Sequence, residues 1–358
     1  MSKVLMKGNE AFAEAAIRAG CKCYFGYPIT PQNEIPEYMS HELPKAGGAF
    51  LQAESELAAV NAAYGAAASG GRVFISTSSP GLALMQEGLG FICSAEVPVV
   101  VLNVSRGGPG VGGIQPGQAD YIQVTRGGYN GDAKIPVLAP AGIQECVDLI
   151  YEAFDIADKY RNPVLIFADG MMGQMMEPVE LPAPRGITPP EKINETKPWA
   201  ITGTNQHPGR NVVFSLRLEP DVLEAHVEHL FEKYARAEKE LVRYKTMNLD
   251  DAEIVFVAFG TMSRLCAEAI ELLDAQGIKA GLIRPISLWP FPDAAFDEIG
   301  AKTKIVISTE LSMGQMLTDV KAAVAGRWPV GLIHRTGGIV PSSLEIVERA
   351  KKLLEEVK

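Results

Sequence analysis

The sequence predicts an α/β protein built from two parallel-sheet domains. Two observations predict it. Short runs of β-branched and aliphatic residues, such as 97–104 and 253–258, alternate with helix-length stretches. A proline-crowded segment, with Pro178, Pro182, Pro184, Pro189, Pro190 and Pro198, separates one such series from another. The 358 residues suffice for two full cores, and 47% hydrophobic content with 35 glycines suits a globular chain rich in tight turns. The expected division is a first domain over 1–180, a linker carrying a charged helix over 181–249, and a second domain over 250–358.

Residues 8–19 read as a helix, with Asn9 as its N-cap and Gly20 as its stop. A short strand, Cys23-Tyr-Phe-Gly26, then runs into Tyr27-Pro-Ile-Thr-Pro31. Pro28 and Pro31 hold that backbone extended and present the Thr30 hydroxyl at the strand's carboxyl end, where ligands sit in open parallel sheets. Thr30 reads equally as an N-cap for the helix that follows. Residues 50–65 deliver Glu54 and Glu56 to the start of a helix of small side chains. Both fit the ordinary role of first-turn acids. A carboxylate there is favoured as the anion by the helix dipole and disfavoured by apolar neighbours, the conflict from which acid–base groups are made. Glu56 is the stronger candidate.

Residues 72–77 form the next strand, followed by Ser78-Ser-Pro-Gly81 and an apolar helix through Leu82, Met85 and Leu89. The run 97–104 has the composition of a central strand covered on both faces. It ends in Ser105-Arg-Gly-Gly-Pro-Gly-Val-Gly-Gly113, a glycine-rich lid that carries one fixed cation, Arg106. An arginine there suits a planar carboxylate, or a surface ion pair. A strand from Ile135, a helix from Ile143 to about Tyr160 and a strand from Pro163 complete about six strands. Between Pro220 and Met247 a charged helix carries one apolar stripe, including Leu230 and Tyr234, that must lie against this chain or a partner; His226 and His229 on it read as solvated. The second series follows, with Arg284 and Glu310 as polar groups in structural pairs.

Several function classes are excluded. A net charge of −10 with dispersed Lys and Arg speaks against a nucleic-acid surface. Gly108–Gly113 spells G-x-G-x-x-G after a strand, with Asp132 near the place of a ribose acid, but Pro116 and Gly117 prevent the helix that a dinucleotide fingerprint must open. The five cysteines include no C-x-x-C pair, so no iron–sulfur or zinc site is expected. An odd cysteine count, no signal-peptide pattern and no apolar run of membrane-spanning length point to the cytoplasm and no membrane.

Taken together, Tyr27-Pro-Ile-Thr-Pro31, Glu54-Ser-Glu56 with Gly65, Ser78-Ser-Pro-Gly81 and the Ser105-Arg-Gly-Gly loop resemble the pyrimidine-binding domain of thiamine-diphosphate-dependent 2-oxoacid:ferredoxin oxidoreductases. The region from Glu253, with Ile283-Arg-Pro-Ile-Ser-Leu-Trp-Pro290, is similar to the C-terminal domain of transketolase-like enzymes. The likeness covers essentially the whole chain, in the order of the family's alpha subunit. It is nearest to the branched-chain type acting on 3-methyl-2-oxobutanoate, with the 2-oxoglutarate type next; a transketolase-like enzyme and a non-catalytic assembly subunit are the other readings. The resemblance implies that Glu56 is catalytic and bonds the cofactor's aminopyrimidine ring. It implies that Tyr27, Pro28, Ser78, Pro80 and Gly81 line the cofactor, and that Thr30 and Arg106 bind the substrate's oxo and carboxylate oxygens. The family's Gly-Asp-Gly with a downstream Asn is absent; Gly131-Asp132 and Asp169-Gly170 are fragments of it. The expected assembly is therefore a hetero-oligomer. A beta subunit supplies the diphosphate and Mg²⁺ half-site, gamma and ferredoxin-like delta subunits carry iron–sulfur clusters, and coenzyme A and ferredoxin are co-reactants. No metal ligand is expected on this chain.

Overall fold

The computed structural model describes residues 3–203 and 210–357. In chain order the strands are β1 (Val4–Lys7), β2 (Cys23–Gly26), β3 (Ala49–Gln52), β4 (Val73–Thr77), β5 (Val100–Ser105), β6 (Val137–Leu138), β7 (Val164–Asp169), β8 (Met176–Val179), β9 (Tyr244–Met247), β10 (Ile254–Val257), β11 (Ala280–Pro285), β12 (Ser287–Trp289), β13 (Ile305–Glu310) and β14 (Val330–His334). A seven-stranded sheet has the order β12-β6-β7-β5-β4-β2-β3 and is parallel except at β12. A five-stranded sheet, β14-β13-β10-β11-β9, is parallel except at β9. β1 and β8 pair antiparallel by themselves. β4, β5 and β7 are buried along their whole length, which is why their sequences are nearly unbroken aliphatic runs.

The helices Gly8–Arg18, Glu34–Lys45 and Ile143–Tyr160 share one core with the first sheet. On the sheet's other face, the helices Glu56–Ala68 and Ser79–Ser94 join a core that also takes in Val255, Val257, Ile283 and Val306 of the second sheet. These two helices touch closely because of a glycine. A Cβ at Gly88 would stand 2.5 Å from Val60 Cγ1.

Local expectations give way to tertiary contacts in several places. Asn9 lies inside its helix, whose N-cap position is Lys7; the Asn9 side chain is fully buried and donates to Pro31 O (2.8 Å) and Glu34 Oε2 (2.7 Å). Gly20 does follow the helix end, with φ +83°. β9, inside the stretch read as linker, is the edge strand of the second sheet, and β12 crosses back to extend the first. The apolar stripe of the Pro220–Glu240 helix packs on this same chain through Leu230, Tyr234 and Ala237. His226 is half-buried on Ser94 O (2.8 Å), whereas His229 is exposed as expected while meeting Glu96 Oε1 (3.2 Å). Leading into that helix, residues 211–218 run without strand pairing and expose Val212, Phe214, Leu216 and Leu218 in strict alternation, by 61%, 49%, 65% and 75%.

The second sheet is stapled to the Ile143–Tyr160 helix by a bidentate pair, Arg284 Nη1 and Nη2 to the Glu145 carboxylate at 2.6 and 2.7 Å. Burial opposes ionisation of Glu145, but the Arg284 guanidinium and the Ala141 N–H outweigh it and hold its carboxyl below the usual range. The folded value lies below the unfolded one, so the stabilisation is complete above about pH 5 and is lost as pH falls through the folded value. Arg284→Leu is expected to cost about 2 kcal/mol near neutral pH. Thermal melts over a pH series should show that cost shrinking towards acid.

Candidate functional site

The residues expected at the site all stand at the carboxyl ends of the first sheet's strands. Tyr27, Pro28 and Thr30 follow β2, Glu56 follows β3, Ser78, Pro80 and Gly81 follow β4, and Arg106 follows β5. The order β5-β4-β2-β3 sets those four ends side by side.

Glu56 is the first residue of its helix, which Ser55 caps by accepting the Ala58 N–H at 3.2 Å. The two acids of this turn differ sharply. Glu54 is exposed and bonded by the Ser55 hydroxyl, whereas Glu56 is 5% exposed. Its carboxylate lies against Gly81, where a Cβ would stand 2.4 Å from Glu56 Oε1 and 2.2 Å from Thr77 Oγ1. Among the described residues nothing hydrogen-bonds the Glu56 carboxylate. The buried Thr77 and Ser78 hydroxyls also have no partner among them. Ser78 occupies the N-cap position of the Ser79–Ser94 helix without making a cap bond, and Pro80 stands in that helix's first turn. A buried acid and the buried Thr77 hydroxyl therefore meet at Gly81, with the unpaired Ser78 hydroxyl next in sequence to Thr77.

Arg106 and Thr30 are also brought together, through the backbone. Arg106 is 8% exposed; Nη1 donates to Thr30 O and Nη2 to Val111 O, both at 2.8 Å, and the buried Nε has no partner among the described residues. The fork expected for a carboxylate thus holds two carbonyls and ties the glycine-rich loop to the turn after β2. Thr30 is not a helix cap. Asn33 has the cap position of Glu34–Lys45, and its Nδ2 donates to Thr30 Oγ1 at 3.3 Å. Tyr27 and Pro28 are exposed in the turn after β2.

A carboxylate that sequence reading missed links these pieces. Asp120, 7% exposed, accepts at Oδ2 from Ser79 Oγ (2.6 Å), Ser105 Oγ (2.7 Å) and Asn103 Nδ2 (2.9 Å). The signal for it lay in β5: Asn103 and Ser105 are polar residues in an otherwise aliphatic buried strand, and buried polar groups demand partners.

A cavity of about 670 Å³ opens beside Thr30, walled by Ile114, Met171, Met175 and Val340, and Glu34 is the one charged residue lining it. Glu34 is held by Lys7, Asn9 and Gln174. A larger cavity of about 770 Å³ lies at the opposite, amino ends of β2 and β4. Among the cations lining it, Arg72, Arg185 and Lys197 are paired with Asp155 and Asp158, and it lies away from the site.

The two fragments of a diphosphate motif serve other ends. Asp132 sits in an exposed loop. Asp169 is buried and caps the Gly170–Gln174 turn through the N–H groups of Met171 (3.0 Å) and Met172 (3.1 Å). Burial raises its carboxyl despite those bonds and the Thr261 hydroxyl. Among the described residues no group of three or more His, Cys, Asp or Glu is placed to hold a metal, and no helix is long and apolar enough to cross a membrane.

Comparison with known proteins gives the class first. The thiamine-diphosphate-binding domain of pyruvate flavodoxin/ferredoxin oxidoreductase matches residues 14–246, and the pyruvate:ferredoxin oxidoreductase core domain II matches 252–346. The fold is therefore that of a thiamine-diphosphate-binding domain followed by a transketolase-like one. More particularly, the chain belongs to the 2-oxoacid:ferredoxin oxidoreductase family. It is 45% identical to ketoisovalerate oxidoreductase subunit VorB of Methanothermobacter thermautotrophicus, over 99% of this chain and 98% of that one. It is 37% identical to 2-oxoglutarate synthase subunit KorA of Methanocaldococcus jannaschii, over 96% and 99%. The 2-oxoglutarate:ferredoxin oxidoreductase of Magnetococcus marinus superposes with a TM-score of 0.86 at 27% identity, covering 99% of this chain, which spans 65% of that one. A split-gene transketolase in an inactive β4 tetramer, at 16% identity and a TM-score of 0.60, shares the fold.

Gly81→Ala is expected to displace Glu56 or Thr77 and to lower turnover of the assembled enzyme about 100-fold. Gly65→Ala, in the neighbouring helix with nothing within 4 Å of the added methyl, is expected to leave turnover unchanged. Initial rates of the two variants make the comparison.

Proposed function

We propose that this chain is the alpha-type subunit of an oxidoreductase that converts a branched-chain 2-oxo acid, 3-methyl-2-oxobutanoate, and coenzyme A into the acyl-CoA and carbon dioxide, passing two electrons to ferredoxin. The observation that carries the reading is Glu56, a buried and unpartnered carboxylate at a helix N-terminus, pressed against Gly81. With the unpaired Thr77 and Ser78 hydroxyls it fits the polar edge of a flat aminopyrimidine ring. Tyr27, Pro28, Pro80 and Gly81 complete the wall. Thiamine diphosphate, when bound, supplies the electron sink for decarboxylation. Glu56 holds and returns a proton at a nitrogen of that ring, its Oε1 fixed by the closeness of Gly81. Thr30 Oγ1 is aimed at the substrate's oxo or carboxylate oxygen. Arg106 offers its free Nε, and a second donor when the Val111 loop releases Nη2.

The substrate reading is supported by the cavity beside Thr30, whose lining among the described residues holds Ile114, Met171, Met175 and Val340, the acid Glu34, and no Lys, Arg or His. A dicarboxylate such as 2-oxoglutarate would need a second cation there, whereas a branched alkyl chain needs an apolar wall. End-to-end likeness to a ketoisovalerate oxidoreductase subunit supports the same choice. In this reading a beta subunit brings the diphosphate and Mg²⁺ half-site, because Asp169 is spent on a helix cap beneath the second domain. Gamma and delta subunits bring the iron–sulfur clusters, and the assembly works in the cytoplasm.

The test is anaerobic purification of the tagged chain from its host, followed by coenzyme A-dependent viologen reduction with pyruvate, 2-oxoglutarate and branched-chain 2-oxo acids. Highest kcat/KM is expected with 3-methyl-2-oxobutanoate. Glu56→Gln is expected to lower kcat by about 100-fold or more while subunit composition stays the same. Preference for 2-oxoglutarate would overturn the substrate assignment. A complex without thiamine diphosphate or iron that reduces nothing would leave an assembly role as the reading.

A further inference from the structure

We infer that Asp120 is a positioning residue through which docking of the second domain sets Arg106 and the turn carrying Gly81; the inference rests on the function proposed above. The geometry forms a relay. Ser79 Oγ has three acceptors in reach, Asp120 Oδ2 at 2.6 Å, Arg106 O at 3.3 Å and Ser105 Oγ at 3.5 Å. A carboxylate only accepts, so it draws the Ser79 hydrogen to itself by the shortest bond and leaves a serine lone pair for the Arg106 N–H, 3.0 Å away. The Arg106 guanidinium then fixes Thr30 O and Val111 O. Ser79 is also two residues from Gly81, whose N–H bonds Ser78 O at 2.7 Å. One carboxylate oxygen thus orders the segments that follow β4 and β5.

Asp120 itself is held from the second domain on both sides. Gln118, 2% exposed, donates to Phe259 O and accepts the Leu311 N–H, each at 3.0 Å, while its own N–H bonds Leu311 O at 3.0 Å. Gln315 grips Ala119 O (2.5 Å) and the Ile122 N–H (2.9 Å), and Tyr121 donates to Asp319 Oδ2 (2.6 Å). Residues on both sides of Asp120 belong mechanically to the second domain while its side chain belongs to the first. A neutral acceptor would satisfy the same three donors with less desolvation. What the carboxylate adds is direction, because an asparagine amide presents donors as well and lets the Ser79 hydroxyl turn.

Two readouts on the assembled enzyme test this. Hydrogen exchange at the Arg106 amide reads the relay directly, and the KM for the 2-oxo acid reads its consequence. Asp120→Asn and Ser79→Ala are each expected to speed that exchange about tenfold and to raise KM about tenfold. The double variant should be no worse than the worse single one, since both act through one bond. Ser79→Ala leaves Asp120 its bonds to Asn103 and Ser105, so it keeps the test open should Asp120→Asn fail to fold. Unchanged exchange, unchanged KM, or multiplied effects in the double variant would overturn the inference. A wild-type complex with no turnover would instead count against the proposed function, and the relay would then stand or fall on exchange alone.

Discussion

The functional end of this molecule depends on the contact between Glu56 and Gly81. It exists because two helices of small residues, Glu56–Ala68 and Ser79–Ser94, cross closely on one face of a parallel sheet, Val60 against Gly88 and Glu56 against Gly81. Close packing would ordinarily bring a buried acid a partner. Here it brings a bare Cα beside the Glu56 carboxylate, and the buried Thr77 and Ser78 hydroxyls have no partner among the described residues. Buried polar groups without partners are costly to keep, so their concentration at one sheet edge marks the place where binding free energy is to be gained.

The second domain is more than a neighbour. Its strands share a core with the two helices, its Arg284 clamps Glu145, and its loops hold both sides of Asp120. β12 even extends the first sheet. The boundary that prolines mark along the sequence is therefore crossed by packing, hydrogen bonds and an ion pair.

Much of this was legible in the sequence because period and composition are local signals. Aliphatic runs such as 97–104 became β5, and in a parallel sheet any residue just after a strand falls at the ligand-binding edge, which placed Thr30, Glu56, Ser78 and Arg106 together. What stayed hidden depends on partners distant along the chain. Asn9 has the residue type of a cap, yet Glu34 and Pro31 claim its side chain. Arg106 was read as a free fork, but the carbonyls that occupy it lie on two loops whose approach no spacing reveals. Asp120 follows a glycine-rich loop and looks like a surface acid; only the fold shows that three donors converge on it. The choice of Glu56 over Glu54 was legible, but its contact with Gly81 depends on the crossing of a second helix.

The alternating segment 211–218 bears on how such a chain can be made. Four large apolar side chains point into water from an extended backbone that no strand of the described residues covers. That is the arrangement onto which another extended chain adds most readily, its own copies included. In a free chain this segment is uncovered, so self-association competes with assembly.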